Sequence, residues 1–198
     1  MGTPTLVLAS TSPRRIELLR QIGLQFVVVP SGADETLVGG GPAEIAEALA
    51  LSKAESVAGR VGSGLVIGAD TVVALDGEIL GKPRDPADAR MMLEKLSGRA
   101  HSVVTGVAVV DAATGRRAVE YEESRVWFRA LNSDEIEAYV SSGEPMDKAG
   151  AYGVQGLGSV LVERIEGCYF NVVGLPLPRL ARILKSFGLD VLRAGEAR

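Results

Sequence analysis

The stretch from Gly64 to Pro83 narrows the possible folds of this chain more than any other, because it drives an apolar run directly into a carboxylate. Leu65 to Ala69 is short, β-branched at Val66 and Ile67 and bounded by glycine, the pattern of a buried strand rather than a helix. The run stops at Asp70. A carboxylate is seldom buried without a partner, so the pattern predicts Asp70 at a strand end that faces a cleft, with Thr71 on the same edge. Val72 to Leu75, Asp76-Gly77 and Glu78 to Leu80 then read as a β-hairpin with an Asp-Gly turn, which returns Lys82 toward Asp70. Taken alone, Asp70 fits equally well a strand-end aspartate bonded to nearby backbone.

Upstream, Thr5 to Ala9 is a short apolar run. Ser10-Thr11-Ser12-Pro13-Arg14-Arg15 then leads into an amphipathic helix with Ile16, Leu18, Leu19 and Ile22 on its buried face. Ser12 suits the N-cap, Pro13 the first helical position and Gly23 the stop. A strand, a hydroxyl-rich turn and a helix start bearing two arginines together make an anion site, since free N–H groups, the positive dipole end and planar guanidinium donors all favour phosphate. The same residues also describe an ordinary capped helix with solvated arginines. No P-loop and no Gly-x-Gly-x-x-Gly fingerprint follows this strand. Gln25 to Pro30 is a second strand, followed by a polar loop with Asp34 and Glu35. Pro42 starts a helix in which Lys53 falls a turn after Leu49, placed to snorkel from an apolar face toward a cleft.

Downstream, Asp85-Pro86 opens a helix running to Gly98. His101 to Val110 and Glu120 to Leu131 are long strand candidates joined across Asp111 to Gly115. His101, the one histidine, reads as a structural hydrogen-bonder at a strand start. Asn132 or Ser133 caps the next helix. The glycine-rich segment from Met146 to Gly156 lets backbone approach a ligand, with Lys148, Tyr152 and Gln155 able to recognise one. Ser159 to Ile165 is a further strand, and Pro176 begins a C-terminal helix. The order of elements predicts one α/β domain over 1–198, a mixed sheet with a cleft between two lobes.

A formal charge of −4 argues against a broad nucleic-acid surface but not against a nucleotide, which needs only a local cluster of cations. Cys168 is the single cysteine, so neither an intramolecular disulfide nor a cysteine-rich zinc site is available. No stretch reaches transmembrane length, and the expected location is the cytoplasm.

Taken in order, several segments resemble the Maf family of nucleoside triphosphate pyrophosphatases. They are Ala9 to Arg15, Asp34-Glu35, Ala50 to Ala54, Gly68 to Val73, Gly81-Lys82-Pro83, Ser97 to Val107, Asp147 to Gly156 and Asn171 to Pro176, spanning about residues 5 to 187. The resemblance implies a hydrolase that cleaves a nucleoside triphosphate between its α and β phosphates with a divalent cation, Mg²⁺ or Mn²⁺. It also implies a fold similar to that of inosine triphosphate pyrophosphatase: an elongated mixed sheet flanked by helices, with the active site in an inter-lobe cleft. Gln155 in Ala-Tyr-Gly-Val-Gln-Gly resembles the branch that prefers dTTP and UTP. By the resemblance, Asp70 is the proton acceptor, and Arg14, Thr71 and Gln155 set base preference; family members often look dimeric, which makes a homodimer possible. Ser10, Arg14, Arg15, Lys53 and Lys82 are expected to cradle the triphosphate, with Glu35 and Asp70 toward the metal. The alternative from another class is a non-catalytic nucleotide-binding regulator of cell division, because the family has also been associated with septum formation.

Overall fold

Two short strands share one side of a long one, and that arrangement creates the site. The computed structural model describes residues 4–33 and 39–194. In chain order the elements are β1 (Leu6–Leu8), α1 (Pro13–Gln21), β2 (Phe26–Val28), α2 (Pro42–Val61), β3 (Leu65–Leu75), β4 (Glu78–Leu80) and α3 (Pro86–Leu96). After them come β5 (Ala100–Asp111), β6 (Arg117–Phe128) and α4 (Ser133–Ser141). Three 3₁₀ turns between Glu144 and Val160 lead on to β7 (Val162–Glu166), α5 (Tyr169–Val173), α6 (Leu177–Ser186) and α7 (Val191–Ala194).

The strands form one seven-stranded sheet in the order β2-β1-β3-β5-β6-β7, with β4 also on β3. Pairs β1/β2 and β1/β3 are parallel, and the other pairs are antiparallel. This is the mixed, helix-flanked α/β sheet expected from the sequence. Strands β5 and β6 are 12 residues each, about 40 Å at the usual rise, and give the sheet its elongated form.

Strand β1 pairs with β3 as far as Leu8↔Ile67, and β4 begins only at Val73↔Leu80. Between Ile67 and Val73 that side of β3 has no ladder partner among the described residues. On its other side β3 pairs without interruption with β5, from Leu65↔Asp111 to Ala74↔Ser102.

Local chemistry explains the ends. Asp76 (φ 50°) and Gly77 (φ 83°) both take positive φ, as a two-residue hairpin loop of matching twist requires. The Asp85 side chain accepts the Asp88 N–H, and Asn132 and Glu135 form a reciprocal capping box. Ser12 departs from expectation: its side chain makes no cap bond, and its N–H donates instead to Ser10 Oγ at 3.2 Å.

The two faces of the sheet are covered differently. On one, α1 and α6 bury Leu18, Leu19, Leu180 and Leu184 against β1, β3 and β5, while a second apolar cluster at the far end packs α3 and α4 against Val73, Val103 and Phe128. On the other face lies α2, pressed so close that a Cβ on Gly68 would stand 2.2 Å from the Ala50 carbonyl oxygen, and one on Gly106 would stand 2.1 Å from that of Ala46. These two glycines set the depth of α2, because any side chain there would push the helix off the sheet.

Candidate active site

A cavity of about 620 Å³ opens at the unpaired side of β3, between the α1/α6 cluster and the α3/α4 cluster. Asp70 lies mid-strand, not at a strand end as its place after an apolar run suggested. What ends beside it is the neighbouring strand. Side chains alternate along β3, so Asp70 joins Gly68 and Val72 on the α2 face and Thr71 joins the opposite face. Both nevertheless line the cavity, which wraps round the bare edge.

On the α2 face, Lys53 Nζ donates to Asp70 Oδ1 at 2.6 Å. The pair is largely shielded, with side-chain exposures of 8% for the lysine and 14% for the aspartate. Lys53 belongs to the apolar stripe Leu49, Ala50, Lys53, Ala54 and Val57, so its stem packs with that stripe while its ammonium reaches the carboxylate. A buried charge pair of this kind is held by geometry, because removing one partner strands the other in a medium that solvates it poorly.

On the opposite face Arg15 is fixed by several bonds. Its Nε donates to the Gly174 carbonyl at 2.8 Å, Nη1 to Ser10 Oγ at 3.4 Å and Nη2 to Thr71 Oγ1 at 3.1 Å. Ser10 Oγ therefore accepts twice, from Ser12 N–H and from Arg15, which leaves its own proton to be given away. Arg14, one residue earlier, faces Asp147 across the mouth, Nη1 to Oδ2 at 3.8 Å. Lys148 Nζ lies 2.6 Å from the same carboxyl group. Burial pushes the Asp147 carboxyl up, but Lys148 and Arg14 outweigh it and hold the group below its usual range.

A family model described as Maf-like protein matches residues 5–187. The chain belongs to the Maf family. It is 55% identical to the dTTP/UTP pyrophosphatase of Pelotomaculum thermopropionicum, over 94% of this chain and 98% of that protein. It is 56% identical to the dTTP/UTP pyrophosphatase of Moorella thermoacetica, over 94% and 96% respectively. Among solved structures it resembles that of the Staphylococcus aureus Ham1 protein, with a TM-score of 0.50 and 18% identity over 80% of this chain and 79% of that one. That similarity bears on the fold alone, and it agrees with the elongated mixed sheet.

In this Maf chain, Ser10, Arg14, Arg15, Lys53, Asp70, Thr71 and Lys82 all line the one cavity. Gln155 does not. It is exposed, one residue beyond Val154, which does line it. Glu35, expected toward the metal, lies outside the described residues. Tyr152, expected as a ligand-recognising group, is 5% exposed and bonded through its hydroxyl to His101 Nε2 at 2.7 Å. Both rings meet Phe128 edge-on. His101 is thus the structural residue its position suggested, and burial brings its imidazole pKa down to about 4. Asp147 at the mouth had no signal beyond its place in a glycine-rich segment. Thr105, buried behind Thr71, does carry a signal in the sequence: a hydroxyl inside the apolar run Val103 to Val110 needs a partner.

Among the described residues no group of three His, Cys, Asp or Glu side chains could hold a metal ion. Asp70 still offers a second carboxylate oxygen at the cavity. That is a hard-oxygen donor of the kind a small dication uses when phosphates and water complete its shell, so the residues present fit Mg²⁺ or Mn²⁺ bound with a triphosphate. No helix of the described residues is long and apolar enough to cross a membrane.

Proposed function

We propose that this chain hydrolyses dTTP and UTP to the nucleoside monophosphate and pyrophosphate. The observation that carries the reading is the convergence of the Asp70 carboxylate with Arg14, Arg15, Lys53 and Lys82 in a single cavity. Among the described lining residues five cations, with Lys148, stand against the two carboxylates Asp70 and Asp147, an excess of positive charge that suits a polyanion to be attacked by water. The base specificity is supported by relatives about half identical over nearly their whole length that bear the dTTP/UTP pyrophosphatase name.

Ser10, whose proton is left to donate, and the side chains of Arg14, Arg15 and Lys82 hold the phosphate chain; the start of α1 adds its N–H dipoles. Lys53 clamps Asp70 Oδ1 and so points Oδ2 at the reacting water. Asp70 takes the proton as the water oxygen bonds to the α phosphorus and the α–β anhydride bond breaks, and pyrophosphate departs with the electron pair of that bond. A divalent cation, when bound through Asp70 and the phosphates, supplies further neutralisation of charge; Glu35 is the other carboxylate assigned to it. Arg14, at the mouth, and Gln155, exposed one residue beyond the lining residue Val154, are the groups that the family resemblance assigns to the base. The amide of Gln155 both donates and accepts, which matches the imide edge of thymine or uracil. The reading carries with it a cytoplasmic location, and the net charge of −4 supports a small-molecule substrate over nucleic acid.

The test is pyrophosphate release from a panel of triphosphates with Mg²⁺ or Mn²⁺. Turnover is expected to be greatest with dTTP and UTP. Asp70→Asn is expected to reduce it by about 10²–10⁴-fold with the fold intact. No release from any triphosphate, or a near-normal Asp70→Asn enzyme, overturns the reading.

A further inference from the structure

Behind the cavity wall a ring of hydrogen bonds closes on one buried carbonyl. The Asn171 backbone oxygen accepts the Gly174 N–H at 2.9 Å and the Thr105 hydroxyl at 3.0 Å. Gly174 in turn presents its own carbonyl to Arg15 Nε. Thr105 Oγ1 lies 3.0 Å from Thr71 Oγ1, which meets Arg15 Nη2. Two routes from one acceptor therefore converge on one guanidinium. Thr105 and Asn171 are both fully buried. The Asn171 amide anchors the hub further, donating to the Val103 carbonyl and to Ser124 Oγ, each at 2.9 Å.

The direction of each proton follows from valence. A hydroxyl carries a single hydrogen, and a carbonyl or a guanidinium plays only one part in a hydrogen bond. The Asn171 oxygen can only accept, so Thr105 spends its proton there. Thr71 must then donate to Thr105, which turns its lone pairs onto Arg15, and Arg15 can only donate. Reversing the Thr71–Thr105 bond would forfeit the buried Thr105–Asn171 bond and leave that carbonyl oxygen with the Gly174 N–H alone. With its proton committed inward, Thr71 has none to offer a ligand.

We propose that Thr105 is a positioning residue for the phosphate site: it takes the proton of Thr71, orients that hydroxyl on Arg15 and so sets the plane of the guanidinium. Thr71 then acts on the phosphate chain through Arg15, a part separate from the base preference that the family resemblance implies for it. The inference rests on the pyrophosphatase reading only for the identity of the nucleotide. What it requires is that a phosphate chain meets Arg15.

Inorganic tripolyphosphate, which has no base, separates the two roles. Its affinity for the full chain is measured by titration calorimetry with Mg²⁺, alongside KM and kcat for dTTP, UTP and CTP. Thr105→Val is expected to weaken tripolyphosphate about tenfold and to raise KM for all three nucleotides by a similar factor, leaving their ratios unchanged. Thr105→Ser, which restores the hydroxyl, should return affinity to within about threefold of the original protein. Thr71→Val is expected to weaken tripolyphosphate to the same extent and serves as the second variant should Thr105→Val not fold. In an Arg15→Lys background, Thr105→Val should add little, since the two act through one group. Unchanged tripolyphosphate affinity in folded Thr105→Val, failure of Thr105→Ser to restore it, or a change in the dTTP-to-CTP ratio in Thr71→Val at constant tripolyphosphate affinity overturns the proposal. An original protein that binds tripolyphosphate but releases no pyrophosphate from dTTP sinks the pyrophosphatase reading instead, and the calorimetric arm still decides the ring.

Discussion

Arg14 and Arg15 are adjacent in the chain and do different work. Arg15 is locked to Gly174, Ser10 and Thr71 within the cavity wall, whereas Arg14 faces a carboxyl group across the mouth at 3.8 Å. Substitution should separate them. Arg14→Ala and Gln155→Ala are expected to shift the ratio of dTTP to CTP turnover by about tenfold, the effect of losing one or two ligand hydrogen bonds, with tripolyphosphate affinity less affected. Competition kinetics with mixed nucleotides measures this, and an unchanged ratio removes both residues from base recognition. Much of the residue-scale chemistry was legible beforehand, because charged side chains at a helix start or amid apolar residues need a partner. Asp70 was misplaced along its strand for an instructive reason. An acid at the end of an apolar run marks a polar environment, but here it marks where β1 stops beside β3, and sequence shows a strand's own length better than its neighbour's. Thr105 signalled the need for a partner, but which partner was not legible, since Asn171 lies 66 residues away.

At the scale of elements, the contact between α2 and β3 fixes the distance between acid and base. Lys53 reaches Asp70 at 2.6 Å because Gly68, two residues before Asp70 on the same face, lets the helix backbone touch the strand. Gly68→Ala is expected to lift α2, cost roughly 1–3 kcal/mol in stability and lower kcat more than its thermal shift would suggest, because the lysine follows the helix. Denaturant unfolding together with steady-state kinetics checks the pair of effects; a destabilised protein with normal kcat contradicts it. The hairpin turn at Asp76-Gly77 and the caps at Asp85 and Asn132 followed from local rules. The closure of the glycine-rich segment did not, because it comes from an acid that stands just before it and reaches past its far end. Glu144 accepts the Leu157 and Gly158 N–H groups at 2.9 and 3.0 Å and the Tyr139 hydroxyl at 3.0 Å. Burial pushes that carboxyl up, yet these donors prevail and keep it below the usual range. The two ends of the segment are thereby tied through one carboxylate, which its composition of small residues gave no reason to expect.

For the whole molecule, acid sensitivity has an identifiable source in the cluster of α3 and α4. Burial holds His101 at about 4 in the folded protein, against roughly 6.5 when unfolded. The unfolded chain therefore binds the proton first, so stability falls as pH drops from about 6.5 to about 4 and levels off below that for this group. The loss is on the order of 3 kcal/mol. His101→Gln should flatten that part of the profile, measured as denaturant midpoints across pH 4 to 7 at fixed ionic strength; an equally steep profile in the variant assigns the effect elsewhere. Strands β3, β5 and β6 each run from the cluster under α1 and α6 to the one under α3 and α4. The cavity thus sits in a notch cut into one border of an otherwise continuous plank. Its rims are carried by the same three rails, so neither half can swing away from the other without snapping rungs that both depend on. Substrate must be admitted by side chains and short connecting segments at the rim, while the jaws themselves stay put.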